Sequence, residues 1–251
     1  MDADQVKLSW EGVVVSVQPR STVWRYWVDN RTHREIGYNV FIQGTARFGD
    51  SIVEDFGRGF PRYDFCVAVP EKQQEKLALR IGDIVRGTGW TPKYPNEEFA
   101  DLYRVGALRV IERADHVGEP EVAVVVDVDP CHDGTLVPRV FSRDYPGPPW
   151  TMSAPPLDVY SWRGARMLAK PSWKAKCFEC VWAAVSNVTI QHDFDRGIEK
   201  HRFESFCYGP QSCKWYKPGP ARLVAYKGRG SAKDDGCLDE ICTELRSAWD
   251  E

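Results

Sequence analysis

The sequence has no apolar run approaching the length of a bilayer span, and its opening residues, MDADQVKLSWEG, hold no apolar leader core. That pattern is expected of a soluble, unsecreted, cytoplasmic chain with no membrane partner. No G-x-S-x-G elbow, Walker A loop or H-E-x-x-H helix is present. Nor is there a repeat of fixed period, which excludes solenoid and propeller arrays. Cysteine is too sparse for the dense disulfide framework of a small secreted domain, with eight in 251 residues. In a reducing compartment, cysteines that cluster more often bind metal.

What is present is a globular composition, 43% apolar, with a net charge of −3 that hides a strong asymmetry. Residues 1–113 carry 16 basic and 16 acidic side chains, and residues 114–162 carry 2 against 8. Residues 163–230 carry 13 against 5, and residues 231–251 carry 2 against 7. A basic third between two acidic stretches is the distribution that accompanies polyanion binding; a surface sorted by chance is the alternative.

Residues 6–113 read as mainly β. VKLSWEGVVVSVQ, STVWRYWV and IGYNVFIQG have the alternation and β-branched content of three strands. GTARFGDSIVEDFGRGFPRYD reads as a long loop, FCVAVP as a short buried strand and EKQQEKLAL as a helix. RIGDIVRGTGW and DLYRVGALRVIER close the region as two strands. The long first strand with Gly12 inside it, the helix before the fourth strand, and Gly82-Asp83 opening IVRG resemble an OB-fold. The resemblance implies a five-stranded Greek-key barrel whose second and third strands bind oligonucleotides. An SH3-like or other small barrel is the structural alternative. Residues 114–162 read as a strand, EVAVVVDVD, and a proline-rich connector, DYPGPPWTMSAPPLD, which excludes regular helix. Residues 231–251 read as an acidic tail ending in a short helix, ICTELRSAWDE.

Residues 163–230 form a cysteine module. Cys177 and Cys180 are separated by two residues, a spacing that turns both thiolates onto one cation. After 26 residues come Cys207 and Cys213, separated by five. VWAAVSNVTI and HRFESF between the pairs predict a hairpin that returns Cys207 to Cys180. The pattern resembles a zinc ribbon and departs from it in the second pair, where two intervening residues are usual. It implies one structural Zn²⁺ held by four thiolates, with no open position for chemistry. A [4Fe–4S] cluster also takes four cysteines, and four buried free thiols are a third reading. Cys66 reads as core, and His192 and His201 as surface histidines.

Cations interleave with aromatics in this module. Lys174, Lys176, Lys214, Lys217, Arg222, Lys227 and Arg229 alternate with Trp173, Phe178, Trp182, Tyr208, Trp215 and Tyr216. Cations that neutralise phosphates beside rings that stack on bases make a single-strand binding surface. In the barrel region, alternation puts Trp24 and Tyr26 on one face and Arg25 and Trp27 on the other, with Tyr38 on the neighbouring strand. The expectation is a non-catalytic binder of single-stranded DNA or RNA. An adaptor in a larger protein or nucleoprotein assembly is the alternative, with the same aromatics as interface anchors. The one catalytic candidate is DVDPCHDG, whose Asp127 and Asp129 could hold Mg²⁺ in a nuclease; a solvated strand-to-turn segment is the plainer reading.

Overall fold

The computed structural model describes residues 4–26, 31–53, 56, 62–95, 97–114, 126–128, 136–138, 154–193, 198–209, 213, 215–219, 223–225 and 232–234. The protein is mainly β. Its strands are β1 (Lys7–Tyr26), β2 (Arg31–Phe48), β3 (Ser51–Val53), β4 (Phe65–Val69), β5 (Ile84–Trp90), β6 (Tyr103–Glu112), β7 (Val126–Val128), β8 (Leu136–Pro138), β9 (Arg166–Met167), β10 (Ala183–Asp193), β11 (Ile198–Cys207), β12 (Leu223–Ala225) and β13 (Ala232–Asp234). The helices are α1 (Glu71–Leu77), α2 (Leu157–Arg163) and the single turn α3 (Lys170–Ser172), which runs on into a π turn over Trp173–Cys177. Among the described residues no helix is long and apolar enough to cross a membrane.

β1 organises the molecule. The first two expected strands are one strand of 20 residues, and the turn expected over DNRTHRE is corrected in part, because β2 already begins at Arg31. β1 pairs antiparallel with β2 along almost its whole length, from Ser9↔Arg47 to Arg25↔Arg31. Its first third also pairs with β5, from Lys7↔Trp90 to Val13↔Ile84. Its last third pairs in parallel with β10, from Thr22↔Asn187 to Tyr26↔Gln191. No flat strand could serve all three neighbours. Gly12 faces Gly44 across the ladder, and a Cβ on Gly12 would lie 2.5 Å from the Gln43 carbonyl oxygen. The two missing side chains let the backbones close there. Register shifts between Val14 and Ser16 and between Arg20 and Ser21 then turn the strand onward. Gly37 sits at the second shift with φ +137, open only to glycine.

The order β4-β2-β1-β5-β6, with α1 between β4 and β5, follows from four antiparallel ladders. The edges β4 and β6 meet through one parallel bridge, Val67↔Leu102, and not through a ladder. The sheet is therefore open, and the closed barrel expected from sequence is corrected to a sheet curled until its edges touch. Two hydrogen bonds reinforce the seam, Ala68 N–H to Leu102 O at 2.8 Å and Leu102 N–H to Cys66 O at 3.1 Å. The expected loop after β2 is also corrected: its first residues extend β2 to Phe48, and Ser51–Val53 returns as β3. Gly87 and Gly89 lie within β5, the strand expected there, and Gly87 leaves room for the ring of Trp10.

The Gly82-Asp83 pair ahead of β5 has a clear task. Gly82 adopts φ +90, and the fully buried Asp83 carboxylate accepts the Arg80 N–H at 3.0 Å and the Arg113 guanidinium at 2.8 Å. Arg113 also donates to the Leu77 and Ala78 carbonyls at the end of α1. One buried carboxylate thus fixes the helix end, the turn and the end of β6.

The cysteine hairpin β10–β11 continues the same sheet through β1, and β9 adds at its far edge. The hydrophobic core runs without a break from Val14, Tyr38 and Phe41 to Trp173, Phe178, Trp182 and Tyr208. Phe178 bridges the two halves, stacked on Tyr63 with ring centroids 5.5 Å apart and edge-on to Phe41 at 5.0 Å. Of EVAVVVDVD only Val126–Val128 is described, as β7 paired with β8. The terminal helix expected in ICTELRSAWDE and most of the proline-rich connector lie outside the described residues.

Candidate metal centre and nucleic-acid surface

The middle of β1 is sandwiched between the core and the first cysteine pair. In VVVSVQ, residues 13–18, Ser16 and Gln18 interrupt a valine run, yet both are fully buried. Burying such groups is tolerable only when they are hydrogen-bonded. Ser16 Oγ donates to the Phe178 carbonyl at 2.6 Å. Gln18 Nε2 donates to the same carbonyl at 2.5 Å and lies 3.3 and 3.4 Å from the Cys177 and Cys180 carbonyls. Gln18 Oε1 accepts the indole N–H of Trp173 at 3.1 Å. The turn that carries Cys177 and Cys180 therefore has its carbonyls satisfied by a strand about 160 residues away.

The hairpin forms as the spacing predicted. Ala183 pairs with Cys207, and Tyr208 N–H bonds the Trp182 carbonyl at 2.8 Å, so the second pair starts beside the first. Residues 215–219 then return along β9: Ala169 N–H bonds Lys217 O at 2.9 Å and Gly219 N–H bonds Met167 O at 3.1 Å. That return brings Cys213 back to the others. Each of the six pairings among Cys177, Cys180, Cys207 and Cys213 is close enough for one thiol to raise the other's pKa. Burial is the larger cause. It pushes the Cys177 thiol up to about 12, with Cys207 and Cys213 adding to it. The wholly buried Cys180 thiol is held well above the ordinary range, and Cys213 is raised more mildly.

Backbone donors oppose this. The Trp182 N–H is directed at Cys180 sulfur, the Gly209 N–H lies 3.3 Å from Cys207 Sγ, and the Trp215 N–H is directed at Cys213 sulfur, while the Tyr216 N–H bonds the Cys213 carbonyl at 2.9 Å. Three of the four sulfurs thus accept an N–H from two residues downstream. Such bonds favour thiolate over thiol at Cys180 and Cys213 but do not outweigh burial there. Among the described residues, however, no three His, Cys, Asp or Glu side chains are grouped tightly enough to hold a metal ion. His201 stands apart from the cysteines, with Nδ1 3.1 Å from Thr189 Oγ1 and Nε2 3.5 Å from Glu97. Cys66 is core, as expected.

The expected base-stacking aromatics divide sharply. Tyr38 is buried, its hydroxyl donating to the Pro155 carbonyl at 2.7 Å and its ring edge-on to Tyr160. It has no face for a base, and burial raises its pKa. Trp173, Phe178, Trp182 and Tyr208 are likewise core, because the module has too little volume to bury its backbone without them. Trp24 is half-buried. Arg25 and Tyr26 lie on β1 opposite Ile190 and Gln191 of β10, and Trp27 falls outside the described residues.

Trp215 and Tyr216 are half-buried, and Lys174, Lys176 and Lys217 are exposed, as is Lys170. Lys176 Nζ sits 4.8 Å from the centre of the Trp215 ring. The Lys217 carbonyl is tied to Ala169 beside Lys170, so these four lysines gather around one edge of the module. The acidic group on that stretch, Glu179, pairs with Arg62 at 3.6 Å. Lys214, Arg222, Lys227 and Arg229 lie outside the described residues, as do His132, Asp129 and the rest of DPCHDG.

Sequence reading missed Ser16 and Gln18, although two polar residues ending a valine run were the available signal. It also missed a shallow cavity of about 240 Å³ on the outer face of β1, β2 and β5, lined by Ser9, Glu11, Thr45, Arg47 and Arg86. Arg86 and Glu11 pair beside it. Comparison with family models, with curated proteins and with solved structures finds no match for this chain.

Proposed function

We propose that this chain is a non-catalytic binder of single-stranded nucleic acid, in which an OB-like sheet carries a zinc-held cysteine module. The observation that supports it most is the lysine edge of that module. Lys170, Lys174, Lys176 and Lys217 are exposed together around the half-buried Trp215, and the neighbouring carboxylate is engaged by Arg62. Lysines neutralise phosphates beside a ring that can stack on a base, without sequence preference. The order β4-β2-β1-β5-β6, with a helix before the fourth member, supports the OB-like reading.

The zinc reading is supported by the two-residue gap between Cys177 and Cys180 and by the hairpin that returns Cys207 beside that pair. Binding would draw the sulfurs closer together, to about 2.3 Å from the ion. The ion would supply fold stability and leave no position for substrate.

Fluorescence anisotropy with a labelled oligonucleotide at about 50 and about 200 mM salt tests the reading, because affinity must fall steeply with salt. Replacing Lys174, Lys176 and Lys217 together by alanine should weaken binding and flatten the log–log salt slope by about 2. Absence of binding at the lower salt would remove the nucleic-acid reading. The adaptor reading would then stand, supported by Phe48 and Ile52, which are 61% and 51% exposed at the β2–β3 turn.

A further inference from the structure

The two halves of the β1–β2 ladder have different fates. Over residues 37–42, β2 lies beneath the second half of the chain: Tyr38 packs on Tyr160, and Phe41 on Trp173 and Phe178. No ligand reaches the sheet there. Towards Lys7 and Phe48 the outer face is open. Alternation turns Lys7, Ser9 and Glu11 of β1, Thr45 and Arg47 of β2 and Arg86 of β5 outward, while Leu8, Trp10, Ala46 and Val85 point into the core. The register brings the outward residues together: Ser9 lies opposite Arg47, and Glu11 lies between Thr45 and Arg86. On β6 the exposed Arg109 stands directly opposite Arg86, and like charges so placed repel. Among the described residues, neither Arg47 nor Arg109 has a hydrogen-bond or ion-pair partner for its guanidinium. The open face thus carries cations that the protein itself leaves unanswered.

Ser9, Glu11, Thr45, Arg47 and Arg86 line the cavity of about 240 Å³ on this face, which is roomy enough for a tetrahedral oxyanion. Arg86 turns its Nε and one Nη onto the same Glu11 oxygen. That contact fixes the guanidinium and leaves its other N–H groups open. Two guanidiniums against one carboxylate leave one positive charge in the cavity. Arginine forks and hydroxyl donors that converge on one cavity match the oxygens of a phosphate group. We propose that this cavity is a phosphate-binding subsite. Arg47 is its free cationic ligand, Arg86 is a second ligand positioned by Glu11, and the Ser9 and Thr45 hydroxyls are further donors. The phosphate belongs to the backbone of a single strand or to a small phosphorylated molecule, since both present the same oxygens. The subsite stands apart from the lysine edge and from the cysteine module, and needs neither the nucleic-acid reading nor the zinc reading.

The test is a titration of the full chain with inorganic phosphate at constant ionic strength, read from the arginine Nε–H resonances in nitrogen-15 spectra. The Arg47 and Arg86 resonances are expected to shift and saturate together. Arg47→Gln should weaken phosphate binding about tenfold, the loss of charge-assisted hydrogen bonds from one ligand. Lys7→Gln removes the same charge from the same face but from outside the cavity lining, and should weaken binding by about twofold or less. A linear, unsaturating drift overturns the proposal, and so does equal weakening by the two substitutions, which marks a diffuse field and not a site. Both positions are exposed, so neither variant puts the fold at risk. An oligothymidylate added to the phosphate-loaded protein separates the two sources. If it displaces phosphate from Arg47, and itself binds more weakly to Arg47→Gln, the ligand is a strand phosphate. If phosphate stays bound, the ligand is a small phosphorylated molecule. Failure of the nucleic-acid reading looks different: the oligonucleotide binds nowhere on the chain at low salt, while the phosphate titration still saturates.

Discussion

At the scale of single residues, the most informative position is Gln18. Its amide answers three carbonyls and one indole N–H, all within the turn that carries the first cysteine pair. Gln18→Leu keeps the approximate volume and removes every one of those partners. Orphaned buried groups cost about 1–3 kcal/mol each, and relaxation recovers part, so a loss of about 3 kcal/mol is expected. A urea unfolding curve measures it; a change below about 0.5 kcal/mol, ordinary for a surface site, would show that the clamp is not needed. Tyr38 gives the opposite lesson. Its place in an alternating strand was legible, but alternation alone does not say which face is inward. A strand covered on both sides, as β2 is over residues 37–42, buries aromatics that sequence would place in solvent.

At the scale of elements, the Gly12–Gly44 pair decides whether β1 can bend. Gly12→Ala would place a methyl 2.5 Å from one backbone atom and 2.8 Å from another, neither the end of a flexible side chain. The strands must part, at an expected cost of about 2–3 kcal/mol. Gly49→Ala would meet no atom within 4 Å and serves as the comparison, carrying only the smaller cost of its φ of +58. Thermal denaturation of the two variants should separate them, and equal destabilisation would refute the close-approach argument. Most elements were legible because each carries its own signal. Pro70 and the left-handed Ala78 bracket α1, Gly82-Asp83 opens β5, and the β10–β11 hairpin follows from its alternation. The merging of the first two strands was not legible, because Pro19 looks like a stop. In fact it sits on the ladder opposite Tyr38, between two register shifts. The return of Cys207 beside the first pair was legible from the alternation of the two runs between them, whereas the return of residues 215–219 along β9 depends on tertiary hydrogen bonds that no local pattern encodes.

At the scale of the molecule, sequence divides the chain at residue 113, whereas the packing crosses that line everywhere. Ser21 bonds Ser186, His33 Nε2 lies 2.8 Å from the Tyr208 hydroxyl, and Tyr38, Phe41 and Tyr63 pack against residues beyond 150. A fragment of residues 1–113 would expose the aromatic face that Trp173 and Phe178 cover, and leave an open edge along the last third of β1. It is expected to lack a cooperative thermal transition and to associate. A sharp transition and a dispersed amide spectrum from the isolated fragment would establish the first 113 residues as an independent unit.

The parallel ladder between β1 and β10 also bears on how the chain is made. Thr22 finds Asn187 only after about 160 further residues have been added. At about 5–20 residues per second that is a delay of roughly 8–30 s. During it the first strand has β2 and β5 but not its third neighbour, and closing so long a loop favours slow, late assembly. The open edge is therefore a temporal exposure as well as a spatial one. Early in synthesis the nascent chain presents an unpaired strand, and its protection must come from helpers in the cell or from the speed with which the cysteine hairpin docks.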